Sequence, residues 1–135
     1  NKIAVNYIGK WGSIDLFGDW FVQPIYDTLY FTQNGIIASN GQTNKLLSLN
    51  GKQLFVTTDS IVDTGKFFKI IGSAGEGVFS YNGNLVVDPI YGSVGMLNDL
   101  YWARRAGIAV LIDEASKFRV KPDDNISICF SSKAA

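Results

Sequence analysis

The sequence predicts an all-β fold built from four antiparallel repeats of about 33 residues. The first observation behind this is the segment Gly18 to Tyr26, which returns closely at Gly83 to Tyr91. Looser copies begin at Gly51 and Ser116, so the starting residues are spaced 33, 32 and 33 positions apart. A fixed period in this range indicates a repeat architecture. The second observation is that no segment combines a sustained helical period with helix caps.

The third strand of each repeat follows the recurring glycine or serine. Two columns spaced by two residues carry mostly apolar side chains: Trp20, Gln53, Leu85, Phe118 and Val22, Phe55, Val87, Val120. A spacing of two puts both columns on one face of a strand, so we expect Trp20 in the core.

Two strands precede this one in each repeat, and a weaker one follows it. The first strand carries the columns Ile3, Ile36, Phe68, Tyr101 and Val5, Ala38, Ile70, Ala103. The dipeptides Asn50-Gly51 and Asn82-Gly83 favour tight turns in which both residues have positive φ. We expect Pro24 and Pro89 to end their strands, since proline cannot donate to the ladder.

The repeats define one domain, residues 1–135, with copies at approximately 2–34, 35–66, 67–99 and 100–130. A single repeat is too small to bury its apolar face, so stability must come from stacking. We expect an open twisted array, because the fourth copy is polar, with Glu114, Arg119, Lys121, Asp123 and Asp124. The alternative is a small closed propeller or barrel, which has no exposed edge.

Composition excludes several classes of function. Twelve Lys and Arg balance twelve Asp and Glu, so no net charge favours nucleic acid as a partner. No apolar run reaches the length of a membrane span. The single cysteine, Cys129, rules out an intrachain disulfide framework and leaves the compartment, cytoplasmic or exported, undetermined. The oligomeric state is likewise left open.

The segment Gly9-Lys10-Trp11-Gly12-Ser13-Ile14-Asp15, followed by Gly18, Val22, Pro24 and Tyr26-Asp27, resembles the WG-repeat family of bacterial proteins. The other copies depart from that pattern, with Asn44, Glu76 and Ala109 at the tryptophan position. The resemblance implies a β-rich array, often beside other domains. It implies a binding or structural module and no known catalytic machinery.

Residue chemistry points away from catalysis. The chain has no histidine, which removes the commonest general base and metal ligand, and no nucleotide-binding motif is present. Asp15 and Asp113 share a column with Ser48 and Ser80, where we expect side chains that bond turn amides. Gly72 to Gly77 is expected to be a hairpin turn. We predict no enzyme activity, no cofactor and no metal site, and interpret Asp123-Asp124-Asn125 as a polar loop and Asn125-Ile126-Ser127 as a chance sequon.

The weak candidates for a binding site are Trp102, Arg104 and Arg105. Trp102 stands in the variable column Ala4, Ile37, Lys69, Trp102, outside the main apolar columns. An exposed tryptophan beside two arginines is typical of interface hot spots. Trp11 and Trp20 are interpreted as packing residues.

These observations predict a non-enzymatic interaction module that binds a protein partner, as part of a larger bacterial protein or assembly. The first alternative is a carbohydrate or cell-envelope binding module, because hairpin repeats rich in Trp and Tyr recur in such proteins. The second alternative is a bacterial toxin immunity or inhibitor protein.

Overall fold

The computed structural model describes residues 2–116 and 118–120, which hold fifteen β-strands and no helix. The all-β prediction is therefore confirmed. The chain divides into two compact units, Asn1–Asp63 and Thr64–Ala135. The single domain of residues 1–135 and the bounds of its four repeats stay predictions.

The first unit contains two antiparallel sheets. Its strands are β1 (Ile3–Tyr7), β2 (Lys10–Ile14), β3 (Trp20–Tyr26), β4 (Thr28–Phe31), β5 (Ile36–Asn40), β6 (Thr43–Leu47), β7 (Gln53–Thr57) and β8 (Ser60–Asp63). The first sheet has the order β1-β2-β3, and the second has the order β4-β5-β6-β7.

The second unit repeats this arrangement. Its strands are β9 (Phe68–Gly72), β10 (Gly75–Phe79), β11 (Leu85–Tyr91), β12 (Ser93–Leu97), β13 (Leu100–Arg105), β14 (Ile108–Ile112) and β15 (Phe118–Val120). One sheet pairs them in the order β11-β10-β9, and the other in the order β12-β13-β14-β15. Within the described residues every sheet is open and none closes on itself, in agreement with the predicted open array.

Sheets and sequence repeats are out of phase by one strand. The fourth strand of a repeat leaves its own sheet and pairs with the first strand of the next repeat, β4 with β5 and β12 with β13. Each repeat therefore contributes an edge strand to its successor. This exchange links consecutive repeats by backbone hydrogen bonds as well as by packing.

The turn between the second and third strands has the same form in all four repeats. The anchor N–H donates to the carbonyl three residues earlier, over 3.1 Å at Gly18, 2.9 Å at Gly51, 3.0 Å at Gly83 and 2.9 Å at Ser116. All four anchors have positive φ, whereas Asn50 and Asn82 do not. The prediction of two positive-φ residues per Asn-Gly turn is thus wrong. The glycine is the fourth residue of the turn, and its backbone, unlike that of the asparagine before it, adopts the left-handed conformation.

A β-bulge after each of these turns overturns the expectation that Trp20 is buried. Ile14 pairs with Trp20 and Ser13 pairs with Val22, so Phe21 is an extra residue, and the same shift occurs in the other three repeats. A bulge interrupts the two-residue alternation. Trp20 consequently lies 38% exposed while Val22 is buried.

Pro24 and Pro89 do not end their strands. β3 and β11 each continue two residues past the proline, and the ladder jumps there from Ser13–Val22 to Trp11–Tyr26 and from Val78–Val87 to Glu76–Tyr91. Each proline thus lies in an irregular step of the ladder, where a missing N–H costs no hydrogen bond.

Each unit has one core between its two sheets. In the first unit the core comprises Val22, Tyr26, Ile36, Ala38 and Leu47, with Phe21 and Leu29 packed against it. In the second it comprises Phe67, Val78, Val86, Val87, Val94, Tyr101, Ala103, Val110 and Ile112. Sheets pack face to face through the alternating inward side chains of their strands, which is the geometry of a β-sandwich.

Candidate functional site

The outer face of the first sheet exposes apolar side chains, and one of them lies at a position that is buried in the other repeats. Ile3 is 57% exposed, whereas its equivalents Ile36, Phe68 and Tyr101 are at most 3% exposed. Tyr7 on the same strand is 55% exposed. We define the first-sheet surface as Ile3, Tyr7 and Trp20, which are all exposed in the part of the chain that the structure describes.

The three side chains of this surface share one face of the sheet. Ile3 pairs with Ile14, and Ile14 pairs with Trp20, so both lie on the same side as Tyr7. The rings of Tyr7 and Trp20 meet edge to face with centroids 6.2 Å apart. This contact gives the surface two aromatic rings in a fixed relation, as interface anchors require.

The turns at both ends of β2 extend the apolar character of the first sheet. Ile8 forms the tip of the β1–β2 hairpin and is 84% exposed, and Phe17 in the next turn is 89% exposed. Ile8 has φ of 50°, a left-handed conformation that β-branched residues rarely adopt. A large apolar side chain at a strained, solvent-exposed turn serves no packing purpose within the described residues.

Sequence reasoning missed this surface because it placed Ile3 and Trp20 in core columns. The column of Ile3 is buried in the other repeats, whereas Leu85, which shares the column of Trp20, is 37% exposed, so the exposure of Trp20 follows from the bulge. The signal that pointed to it was the pair Ile8 and Phe17, since polar residues and glycine normally occupy such turns.

The predicted patch of Trp102, Arg104 and Arg105 is only partly assembled. Arg104 and Arg105 are exposed and line a shallow cavity of about 250 Å³ at the end of β13. Trp102 is half-buried and does not line this cavity. A Cβ on its cross-strand partner Gly95 would come within 2.4 Å of the indole. The expectation of an exposed Trp102 is therefore wrong, because its ring lies over Gly95. Binding at the patch stays a prediction.

Glu114 lies at the centre of a polar network in the second unit. Its carboxylate accepts hydrogen bonds from Tyr101 Oη (3.0 Å), Ser80 Oγ (2.5 Å) and Asn84 Nδ2 (2.9 Å). Burial tends to raise the pKa of Glu114, but these donors, together with Asn82, outweigh it and hold the pKa below its ordinary value. Burial, and then the bond to Glu114, raise the pKa of Tyr101 to about 12.

The Glu114 network borders a groove of about 360 Å³, lined by Lys66, Tyr81, Asn82, Met96, Asp99, Tyr101 and Glu114. Because the carboxylate oxygens are already occupied by donors, Glu114 is suited to holding the turn of residues 80–83. The groove thus offers a tyrosine edge and polar side chains, but its central carboxylate has a structural role.

The Trp-Gly pair of the first repeat has a steric explanation. A Cβ on Gly12 would lie 2.5 Å from the Val22 carbonyl oxygen and 2.7 Å from Pro24 N, and one on Gly77 would meet Val87 and Pro89 similarly. Residues 11–38, which contain this pair and the proline, match the family model described as a WG containing repeat. No curated protein and no solved structure matches the chain.

The turn aspartates of the first and fourth repeats have structural roles, as expected. Asp15 Oδ1 accepts from the N–H groups of Phe17 and Asp19, and Asp113 Oδ1 accepts from Ala115 N–H. Ser48 Oγ and Ser80 Oγ accept equivalent amide bonds in the other copies. Each side chain satisfies amides that the turn leaves free.

Other candidate motifs are structural or lie outside the described residues. Gly72 to Gly77 forms the β9–β10 hairpin, as predicted. Residues 2–116 and 118–120 include no cluster of metal-ligating side chains. In that part of the chain there is also no helix of the length and hydropathy needed to cross a membrane. Asp123-Asp124-Asn125, the Asn125 sequon and Cys129 lie outside the described residues.

Proposed function

We propose that the chain is a non-enzymatic interaction module that binds a protein partner through the first-sheet surface. The observation that carries this proposal is the contrast between Ile3, which is 57% exposed, and its buried equivalents in the other repeats. Contiguous exposed apolar side chains mark interaction sites in soluble domains. The WG repeat supplies the scaffold, and the proposed partner covers its open face.

The chemistry of the surface favours a protein over a charged ligand. Ile3, Tyr7 and Trp20 carry no formal charge, and their neighbour Lys10 is paired with Asp27 at 2.5 Å. Tyrosine and tryptophan are enriched at the centres of protein interfaces, where they bury large areas at low entropic cost. The turn residues Ile8 and Phe17 add apolar area at the rim.

The test compares retention of proteins from an extract of the source organism by three forms of the chain. Tyr7→Ser with Trp20→Ser removes both rings of the first-sheet surface. Tyr30→Ser is the matched control, because Tyr30 is 65% exposed but lies on β4. We expect a protein that the wild type and the control retain and that the double variant loses. Equal retention by all three forms would reject this surface.

The predicted patch is tested in the same experiment with Trp102→Ala and Arg104→Ala. Loss of the partner with these variants and not with the double variant would move the interface to β13. Trp102→Ala also removes the ring that covers Gly95, so Arg104→Ala is the cleaner probe.

One observation favours the carbohydrate alternative. The groove beside Glu114 is lined by Tyr81 and Tyr101 together with polar side chains, a combination suited to sugar hydroxyls and ring faces. A glycan array with wild type and Tyr81→Ala tests it: binding that depends on Tyr81 supports it, and absence of signal removes it. The inhibitor alternative stays a prediction.

A further inference from the structure

The second unit has a cavity at a place where the first unit has a carboxylate. The cavity, of about 250 Å³, lies beside the β13–β14 turn, and Gly92 forms part of its wall. Gly18 and Gly83 are 65 residues apart, and the same shift relates Asp27 to Gly92. The occupant of this place in the first unit therefore shows what the cavity in the second unit can hold.

In the first unit the carboxylate of Asp27 lies at the end of the β5–β6 hairpin. One of its oxygens accepts from Gly41 N–H over 2.8 Å, and the other accepts from Lys10 Nζ over 2.5 Å. The bond from Lys10, and then the bond from Gly41, hold the pKa of Asp27 below its ordinary value. This place beside the hairpin turn therefore stabilises a negative charge.

The backbone around the cavity matches the backbone around Asp27. Gly92 N–H donates to the Arg104 carbonyl over 2.9 Å, and Asp27 N–H donates to the Ser39 carbonyl over 2.8 Å. The corner between two strands is thus fixed against the end of the next hairpin in the same way in both units.

The turn beside the cavity carries the same backbone donor as the turn beside Asp27. Gly41 and Ala106 each occupy the first position of a two-residue turn, and both have positive φ, 65° and 49°. Ala106 also lines the cavity. Its N–H therefore faces the cavity as Gly41 N–H faces Asp27, and Gly92 has no side chain that could accept from it.

The positive charge at this place comes from a different strand in the second unit. Gly75 stands where the first unit has Lys10, whereas Arg104 and Arg105 replace a serine and an asparagine. Both arginines are exposed and line the cavity, and none of the described residues that line it is acidic. The second unit thus has the cations and the turn amide of this site without its carboxylate.

The environment of Tyr91 shows that the charge of Arg105 acts at this corner. Burial, and then Asp88, raise the pKa of Tyr91, whereas Arg105 lowers it. A charge that acts on Tyr91 lies close to the next residue, Gly92. Asp88 lines a different cavity, together with Tyr91, and so does not take the place of Asp27.

The donors around the cavity suit a carboxylate. A guanidinium group presents paired N–H donors whose spacing matches the two oxygens of a carboxylate. The turn amide adds a donor from a second direction. In the first unit one carboxylate already accepts from an amide and a cation at the same time.

We infer that the cavity bordered by Gly92, Arg104, Arg105 and Ala106 binds a carboxylate group of a ligand. The oxygens of that group accept from Ala106 N–H and from the arginines, as those of Asp27 accept from an amide and a lysine. The group belongs to a small organic acid or to an acidic side chain of a peptide, and the test separates these sources. The site goes beyond the proposed function and does not depend on the first-sheet surface.

The test titrates the full chain with sodium acetate and follows the amide resonances of Ala106 and Gly107 by NMR, with sodium chloride at the same sodium concentration as the blank. We expect a saturable shift of both resonances. A capped Gly-Glu-Gly peptide and inorganic phosphate are titrated in the same way. Tighter binding of the peptide than of acetate identifies an acidic side chain as the source, and the reverse identifies a small acid. Tighter binding of phosphate than of both would overturn the assignment to a carboxylate.

Gly92→Asp provides the decisive variant, because it restores the carboxylate that the first unit has. A Cβ at this position would meet the Arg104 carbonyl oxygen at an ordinary 3.5 Å. We expect Gly92→Asp to abolish acetate binding and to raise the midpoint of thermal unfolding. Asn98→Asp is the matched control, since it adds the same charge at the opposite end of the β12–β13 ladder and should keep acetate binding.

Arg105→Gln tests the cation. We expect the Kd for acetate to rise about fivefold, as for the loss of an exposed charge pair. Lys66→Gln is the matched control, because Lys66 is exposed but does not line this cavity, and its Kd should stay unchanged. An equal Kd in these two variants would remove Arg105 from the site.

Two results would overturn the inference: no saturable shift at Ala106 and Gly107, or acetate binding that persists in Gly92→Asp. Either result leaves the proposed function untouched, because that function is tested through Tyr7 and Trp20.

Discussion

At the scale of single residues, Gly12 and Gly77 explain why a glycine follows the tryptophan position in this type of repeat. Each lies against the backbone of the third strand where that strand carries Pro24 or Pro89. The second repeat has Lys45 and Thr57 at these two positions, and its ladder is regular there. In the first three repeats the glycine and the proline thus occur together or not at all, because the glycine accommodates the backbone step that contains the proline. The fourth repeat departs from this, with Val110 at the glycine position and Pro122 at the proline position.

We expect Gly77→Ala to destabilise the protein by about 2 kcal/mol, because its Cβ would lie 2.4 Å from the Val87 carbonyl oxygen. Urea unfolding measures the change. Gly92→Ala is the matched control, since its Cβ would meet the Arg104 carbonyl oxygen at an ordinary 3.5 Å. Equal effects of the two substitutions would contradict the steric explanation.

Ile8 combines a strained backbone with an exposed apolar side chain. We expect Ile8→Asn to stabilise the protein by about 1 kcal/mol, because asparagine tolerates φ of 50° and Asn-Gly suits this turn. Ile8→Val, which remains β-branched, should leave the unfolding midpoint nearly unchanged. A destabilised Ile8→Asn protein would show that the isoleucine contributes packing that its 84% exposure does not suggest.

The element scale shows what the sequence pattern could predict and what it could not. The repeat pattern correctly predicted an all-β chain of antiparallel strands, and the aspartate and serine column correctly predicted the turn caps. The faces of the third strands were assigned wrongly, because alternation by two assumes a regular ladder and each of these strands contains a bulge. A bulge depends on pairing with the neighbouring strand, which a single-strand pattern does not reveal.

The hydrogen bond between Tyr101 and Glu114, beside the turn of residues 80–83, leads to a prediction about stability at alkaline pH. Because folding raises the pKa of Tyr101 from 10.0 to about 12, the neutral phenol is favoured in the folded state. Its contribution, on the order of 2 kcal/mol, is fully present below pH 10 and is lost as the pH rises through 12.

Chemical denaturation at several values between pH 9 and pH 12 measures this loss. We expect Tyr101→Phe to show a smaller alkaline decrease in the free energy of unfolding than the wild type. Tyr30→Phe, at an exposed tyrosine, should retain the full decrease. An unchanged decrease in Tyr101→Phe would show that ionisation of Tyr101 does not cause the alkaline loss of stability.

At the scale of the whole molecule, repetition predicts the fold class but hides the candidate site. Ile3 belongs to a column whose other members are buried, so its sequence neighbours predict a core position. Its exposure arises from its place in the first sheet. An alignment of equivalent positions does not show this, because it treats all four repeats alike. The opposite error affects Trp102, which the sequence predicts to be exposed. It is half-buried because its ring lies over Gly95 on the neighbouring strand.

The central claim is that the first-sheet surface is where this chain meets its partner. Selection of short random peptides displayed on phage against the full chain tests it most directly. We expect enriched peptides with apolar residues that bind the wild type and Tyr30→Ser but not the Tyr7→Ser, Trp20→Ser variant. Enriched peptides that bind this double variant as tightly as the wild type, and lose affinity with Arg104→Ala instead, would contradict it.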